Sequence, residues 1–478
     1  MKKMLPSRKV ILAMAVVFTL LLVVSLAAPA IKSNVIRMDP VNHLMYSFTK
    51  TSQETSVQTS STIGMKLNKE GLLGMGIFEF SADEEAMFDF ANSLLENLTF
   101  VVDEAFEINT TDGQLNFRGD TSFDMKYSGK SLLNYELVID QWNWLLKSEL
   151  MHSQPFLLDI NKILNQVFDY SLDGVNEINI NEYKNILLDT STQEWKDFEK
   201  SLPVYETHLR AFIEPRLVEK GETHIVMETH NTATRFSETI IADPGIKYEI
   251  SFDLEEYYEF YAIILREAET DAELKELIRV TAIRFLEHAI ETKDYELFAL
   301  TTEEMQTALN KFNNEWDTSW DEAFVLILES VDMMQESTNM AGMPVVNYTY
   351  GIYIDSSDRI RRIDVDMNLG FMSMDVVVVV KAFGENVEIK SVLENENAIE
   401  VHQLIENPVM GAELGAEVAT NFVSNFFSSE GFAMLLNDVK ENSNMLPEEE
   451  RDMITQSIDM MLMQIDMMLP MLLQQMGM

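Results

Sequence analysis

Three groups of residues have types and spacings that chemistry can use. His224, Glu228 and His230 are the first, since two imidazoles and a carboxylate are a zinc donor set. They fall in a strand-like run, and six residues of strand separate the two histidines by about 20 Å. One shared metal site therefore requires the chain to turn between them, and no metal is expected. Asp364 and Asp366 are the second group. Two residues apart on a strand, they face one side, as an acid–base pair or a calcium site would require. Arg359, Arg361 and Arg362 stand beside them, so a solvated face laced with ion pairs is the expectation. The third group is the methionines of residues 445–478, whose thioethers suit soft Cu(I). Ile454, Ile458, Met461, Ile465, Met468 and Leu472 recur there at helical spacing, which predicts a packed amphipathic helix instead.

Other chemistries have no residues to carry them. The chain has no cysteine, which excludes thiolate metal sites, cysteine nucleophiles, disulfides and an N-terminal lipid anchor. It contains no Gly-x-Ser-x-Gly elbow, phosphate loop or dinucleotide glycine cluster. No cofactor is expected. Acids outnumber lysines and arginines 79 to 35, for a net charge of −44. That sign repels nucleic acid and anionic membrane surfaces alike.

The first 30 residues are different. Lys2, Lys3, Arg8 and Lys9 precede an uncharged apolar run from Val10 to Ile31. Cations before an apolar helix hold the N-terminus in the cytoplasm and send the downstream chain across the membrane. Ala28-Pro29-Ala30 has the small-x-small form of a signal-peptidase site, with Ala28 and Ala30 at the recognised positions. The run is also long enough to remain as an anchor. Either outcome places the rest of the chain outside the cytoplasmic membrane, secreted or tethered, with the membrane touched only through this segment.

The remaining elements are set by periodicity. Asp39–Thr51 predicts a helix, and Val57, Thr59, Ser61, Ile63, Met65 and Leu67 alternate as a strand with one apolar face. Leu72–Phe80 is expected to pair with it, and Asp83–Leu98 to form a helix. Leu115–Tyr127 and Leu132–Ile139 flank the hairpin signal Ser128-Gly129-Lys130. Thr223–Ile241 reads as two strands, Asp243-Pro244-Gly245 as a turn, and Lys247–Phe252 as another strand. Helices are expected over residues 254–334, then a meander of Val345–Ile354, Ile360–Leu369, Met372–Phe383 and Val387–Glu394. A helical tail closes the chain.

Meanders with helices grouped between them predict an α+β protein. The expected body is a curved antiparallel sheet with helices in its concave side, in two related blocks at 31–202 and 203–402, with a Met-rich helical tail at 403–478. The segments His43–Leu67 and Leu115–Ile160 resemble the curved-sheet fold of bacterial lipoprotein carriers, and Thr223–Val401 resembles a second, elaborated copy. The chain is also similar to uncharacterised exported proteins of Firmicutes. The resemblance implies an apolar ligand or a partner protein held by the sheet without catalysis. Phe117, Phe123, Met125, Phe371 and Met374 are the expected lining, although the same side chains are placed to meet covering helices. Two alternatives stand beside this expectation: a structural envelope component assembling with another envelope protein through its tail, and a hydrolase using two carboxylates. N-terminal sequencing of exported protein is expected to begin near Ile31; intact chain free in the cytosol would contradict the export reading.

Overall fold

The computed structural model describes residue 37 and residues 39–74, 81–111, 114–168, 180–187, 189–231, 236–298, 300–338, 346–392 and 397–475. The apolar leader and its Ala28 and Ala30 lie outside them. Among the described residues no helix is long and apolar enough to cross a membrane.

Two antiparallel meanders build the sheet. The first runs through β1 (Ser56–Leu67), β2 (Leu98–Thr111), β3 (Gln114–Tyr127), β4 (Lys130–Asp140), β5 (Asn143–Lys147) and β6 (Phe156–Asp159). The second comprises β7 (Leu217–Asn231), β8 (Phe236–Asp253), β9 (Asn347–Ile354), β10 (Ile360–Asn368) and β11 (Met372–Phe383). β1 pairs with β11, so the meanders join through their first and last strands. A two-residue strand, β12 (Ile399–Glu400), adds in parallel to β6. The resulting 12-stranded sheet is mixed, mostly antiparallel and curled. It takes strands from both expected blocks.

Local chemistry sets several joints. Ser128 and Gly129 both hold positive φ, 47° and 77°, which gives the two-residue β3–β4 turn the twist a tight hairpin needs. Asp39 caps helix α1 (Pro40–Ser52) by accepting from the Val41 and Asn42 amides, with Pro40 pre-set for the first turn. Ser81 and Glu84 form a reciprocal capping box for α3 (Ala82–Leu95).

Three expectations are corrected. Of the strand expected at Leu72–Phe80, residues 72–74 are instead in the short helix α2 (Lys69–Gly74), and residues 75–80 lie outside the described residues. Asp243-Pro244-Gly245 is not a turn but part of β8. The β8 residues before Ile246 pair only with β7, so the missing Pro244 N–H breaks no second ladder. Gly245 is needed because a Cβ there would stand 2.4 Å from the Ile354 carbonyl oxygen. Val387–Val392 is not a strand either. It crosses the sheet, with Lys390 N–H donating to Asp120 and Val392 buried against Val138 and Leu145. That path carries the chain from β11 in mid-sheet to β12 at the border.

The helices fall into groups. Between β6 and β7 lie α4 (Ile160–Phe168), α5 (Ile180–Leu187), α6 (Gln193–Phe198) and α7 (Leu202–Ile213). Between β8 and β9 lie α8 (Leu254–Thr270), α9 (Ala272–Thr292), α10 (Thr302–Asn314) and α11 (Trp316–Thr338). α6–α9 and α11 share one aromatic core built on Phe198, Trp316, Trp320 and Phe324, with Phe312 of α10 packed against it. Each tryptophan indole N–H finds a carbonyl, Trp316 that of Lys275 and Trp320 that of Glu269, both at 3.1 Å. Buried Asp271 caps α9 through the Leu274 amide and accepts the Tyr205 hydroxyl, which ties α7 to the group. The tail comprises α12 (Val401–Glu406), α13 (Pro408–Ser428), α14 (Glu430–Asn442) and α15 (Glu448–Gln475).

α1 is anchored to the sheet by a buried polar contact. His43, 1% exposed, bonds the Tyr248 hydroxyl at 2.9 Å and Asp358 at 3.1 Å. Desolvation lowers the His43 pKa from its ordinary 6.5, against the opposing pull of Asp358. The unfolded chain therefore takes up this proton at a higher pH than the folded one. The stability linked to His43 is complete above about pH 6.5 and lost as pH falls below it. A His43→Gln variant is expected to show a shallower loss of melting temperature between pH 7.5 and 5 than the parent; parallel curves would contradict this. Trp320→Ala should lower the unfolding free energy by about 3–5 kcal/mol, measured in urea.

Candidate apolar binding face

Strand alternation divides the sheet into two chemically opposite faces. Following the pairing from β4 to β8, one row reads Leu133, Met125, Phe100, Ile63, Val376, Val365, Tyr350 and Ile250. The adjacent row on the same face reads Tyr135, Phe123, Val102, Ser61, Val378, Ile363, Ile352 and Tyr248. Ser61 is the one small polar member of the sixteen. The aromatic side chains interlock, with Phe123 stacked on Tyr135 at 5.2 Å and tilted against Phe100 at 6.1 Å.

Among the described residues, helices pack on both ends of these rows. At the β8–β10 end, Val41 and Leu44 of α1 and Ile213 of α7 pack with Tyr248, Ile250, Ile352 and Ile354 in one core. An Arg210–Asp39 ion pair at 2.8 Å locks those two helices together. At the other end, Leu94 of α3, Phe432 of α14 and Met461 of α15 surround Tyr127, Leu132 and Met125. Between the ends, Ile63, Phe100, Val102, Phe123, Val376 and Val378 remain half-buried. Nearby Phe106 and Ile108 are 41% and 49% exposed. A contiguous apolar strip left partly exposed among the described residues marks a binding surface more often than a solvated one.

The opposite face carries charge. Lys381 pairs with Asp103 at 2.6 Å, Arg362 with Asp364 at 2.6 Å and Lys126 with Asp124 at 3.4 Å. Burial raises the Asp120 carboxyl pKa, partly offset by the Lys390 amide. The distal part of the β7–β8 hairpin folds onto this face, where Ile225 packs against Val377 and Val379.

Of the residues singled out from sequence, Phe117, Phe123 and Met125 on β3 and Met374 on β11 share the apolar face. Phe371 stands apart, in the β10–β11 turn and 45% exposed. Asp364 accepts from Arg362 and from the Tyr353 hydroxyl at 2.8 Å, while Asp366 is exposed opposite Asp375. His224 is exposed and opposite Pro244; the side chains of Glu228 and His230 lie outside the described residues. Among the described residues no cluster of three histidine or carboxylate groups is arranged to hold a metal. In α15, Ile458 is buried and Met461 packs inward, whereas Met453, Met460, Met463 and Met467 point to solvent. The rest of the apolar strip escaped sequence reasoning because Val102, Ile63 and Val376 become neighbours only through strand register. Comparison with family models, curated proteins and solved structures finds no match to this chain.

Proposed function

We propose that this is an exported, non-catalytic carrier that holds an apolar ligand, such as a lipid acyl chain, against the half-buried rows of its sheet. The observation that supports the reading is the pair of apolar rows left partly open between the helix groups. Six strands from β4 to β10 span about 24 Å at a spacing of about 4.8 Å, the scale of an extended acyl chain. Covering such a strip removes apolar surface from water at about 25 cal/mol per Å². Most of a long-chain ligand's affinity would come from this non-directional term, so the face needs shape and apolarity more than directed hydrogen bonds. The leader would supply the location, and the net charge would repel the exported body from anionic lipid surfaces.

Native mass spectrometry of the exported protein is expected to find co-purified lipid, and a fluorescent fatty acid should bind saturably. Phe123→Ser or Val102→Ser should weaken the probe about tenfold, from the loss of one buried side chain's transfer energy. Asp366→Asn, on the charged face, should leave it unchanged. An empty protein with no saturable probe binding would reject the carrier reading.

A further inference from the structure

A second site lies at the end of β10 and β11, where three cations of this acidic chain converge on one cavity. A cavity of about 340 Å³ is lined by Arg359, Arg361, Lys381, Phe383, Asn386 and Asp355, among others. Its lining holds three cations and one carboxylate, with Glu54 and Asp103 standing behind Arg359 and Lys381, in a chain where acids outnumber cations by more than two to one. Two irregularities place two of these cations, Arg361 and Lys381. The β9–β10 register skips Arg361, pairing Ile360 with Ile354 and Arg362 with Tyr353. The β1–β11 register likewise skips Lys381, pairing Gln58 with Ala382 and Thr59 with Val380. Bulges re-aim the side chain of the extra residue, and two on adjacent strands are a local investment in its direction.

The cations are also held in place. Buried Phe383, 4% exposed, lies beneath both guanidinium groups, Arg359 at 4.6 Å and Arg361 at 5.3 Å from its ring centre. Arg361 Nη2 donates to the Lys381 carbonyl at 3.1 Å. Glu54 faces Arg359 at 3.4 Å, Asp355 faces it at 3.8 Å, and Asp103 holds the Lys381 ammonium at 2.6 Å. Arg359 Nε is sealed from solvent and has no hydrogen-bond acceptor. Stacked guanidinium forks at the wall of a polar cavity are suited to bidentate recognition of oxyanions.

We propose that this pocket binds a phosphate group, with Arg359 and Arg361 supplying directed hydrogen bonds and Lys381 adding charge. It is separate from the apolar strip and does not rest on the carrier reading. Phosphate reaches such a site either as a free ion or as a headgroup, and the two sources are distinguishable. The full chain would be titrated calorimetrically with inorganic phosphate at low salt, and sedimented with phosphatidylglycerol vesicles. Saturable phosphate binding that weakens with added salt is expected; binding to vesicles alone would assign the pocket to a headgroup. Arg361→Gln should weaken binding about tenfold, and Arg361→Lys, which keeps the charge but loses the fork, by less. Lys381→Gln provides an independent loss, and melting curves verify that each variant is folded. Failure of the parent chain to bind in either arm would overturn the proposal, as would affinities unchanged in Arg361→Gln and Lys381→Gln.

Discussion

The β1–β11 seam is the constraint on which the sheet depends. Eleven paired positions, from Val57 with Phe383 to Leu67 with Met372, join residues more than three hundred positions apart in sequence. Without them the chain would hold two smaller meanders, each with a raw border through what is now mid-sheet. The valine run Val376–Val380 makes the seam strong, because both faces of this strand meet apolar partners: Ile63 and Val365 on one side, Ile225 on the other. Contacts of such sequence separation carry a large closure entropy, so the seam is expected to form late in folding, after each meander has assembled.

The seam also creates the candidate binding face. Neither meander alone has apolar rows long enough for an extended ligand; end to end they run unbroken from β4 to β8. The division of labour between faces follows from the period of two. Alternate positions collect Val, Ile, Phe and Met on one side, while the intervening positions mix paired acids and bases with buried apolar residues such as Val101, Val138 and Val379. Ion pairs such as Lys381–Asp103 cost little where water reaches them, and they keep that side polar.

Much of this was legible in the sequence where one physical rule dominates. The alternation of Val57 to Leu67, the Ser128-Gly129 hairpin and the capped helix after Asp39 are local patterns, and they appear where expected. So does the α+β class. Phe117, Phe123, Met125 and Met374 could be placed on strand faces from spacing alone, but not brought to one face, because that requires register. The errors have the same origin. Asp243-Pro244-Gly245 has turn chemistry, yet β8 there lacks a β9 partner, so a proline costs no hydrogen bond. Val387–Glu394 has strand composition, yet Val392 serves a crossing segment that packs on Val138 and Leu145. Arg359 and Arg361 were visible only as counter-ions to nearby acids. The bulges that turn Arg361 and Lys381 toward the cavity are not revealed by any single-strand pattern.

The sheet's outer limits have a consequence of their own. At one limit, β12 is two residues long and passes directly into α12. At the other, β7 is broken by two register shifts, carries Glu219, Lys220 and Glu222, and bends back over its neighbours. Neither offers a straight ladder of free amides on which a second molecule could lay its own strand. The sheet thus resists fibrous self-templating through geometry, in addition to the mutual repulsion of the chain's many carboxylates.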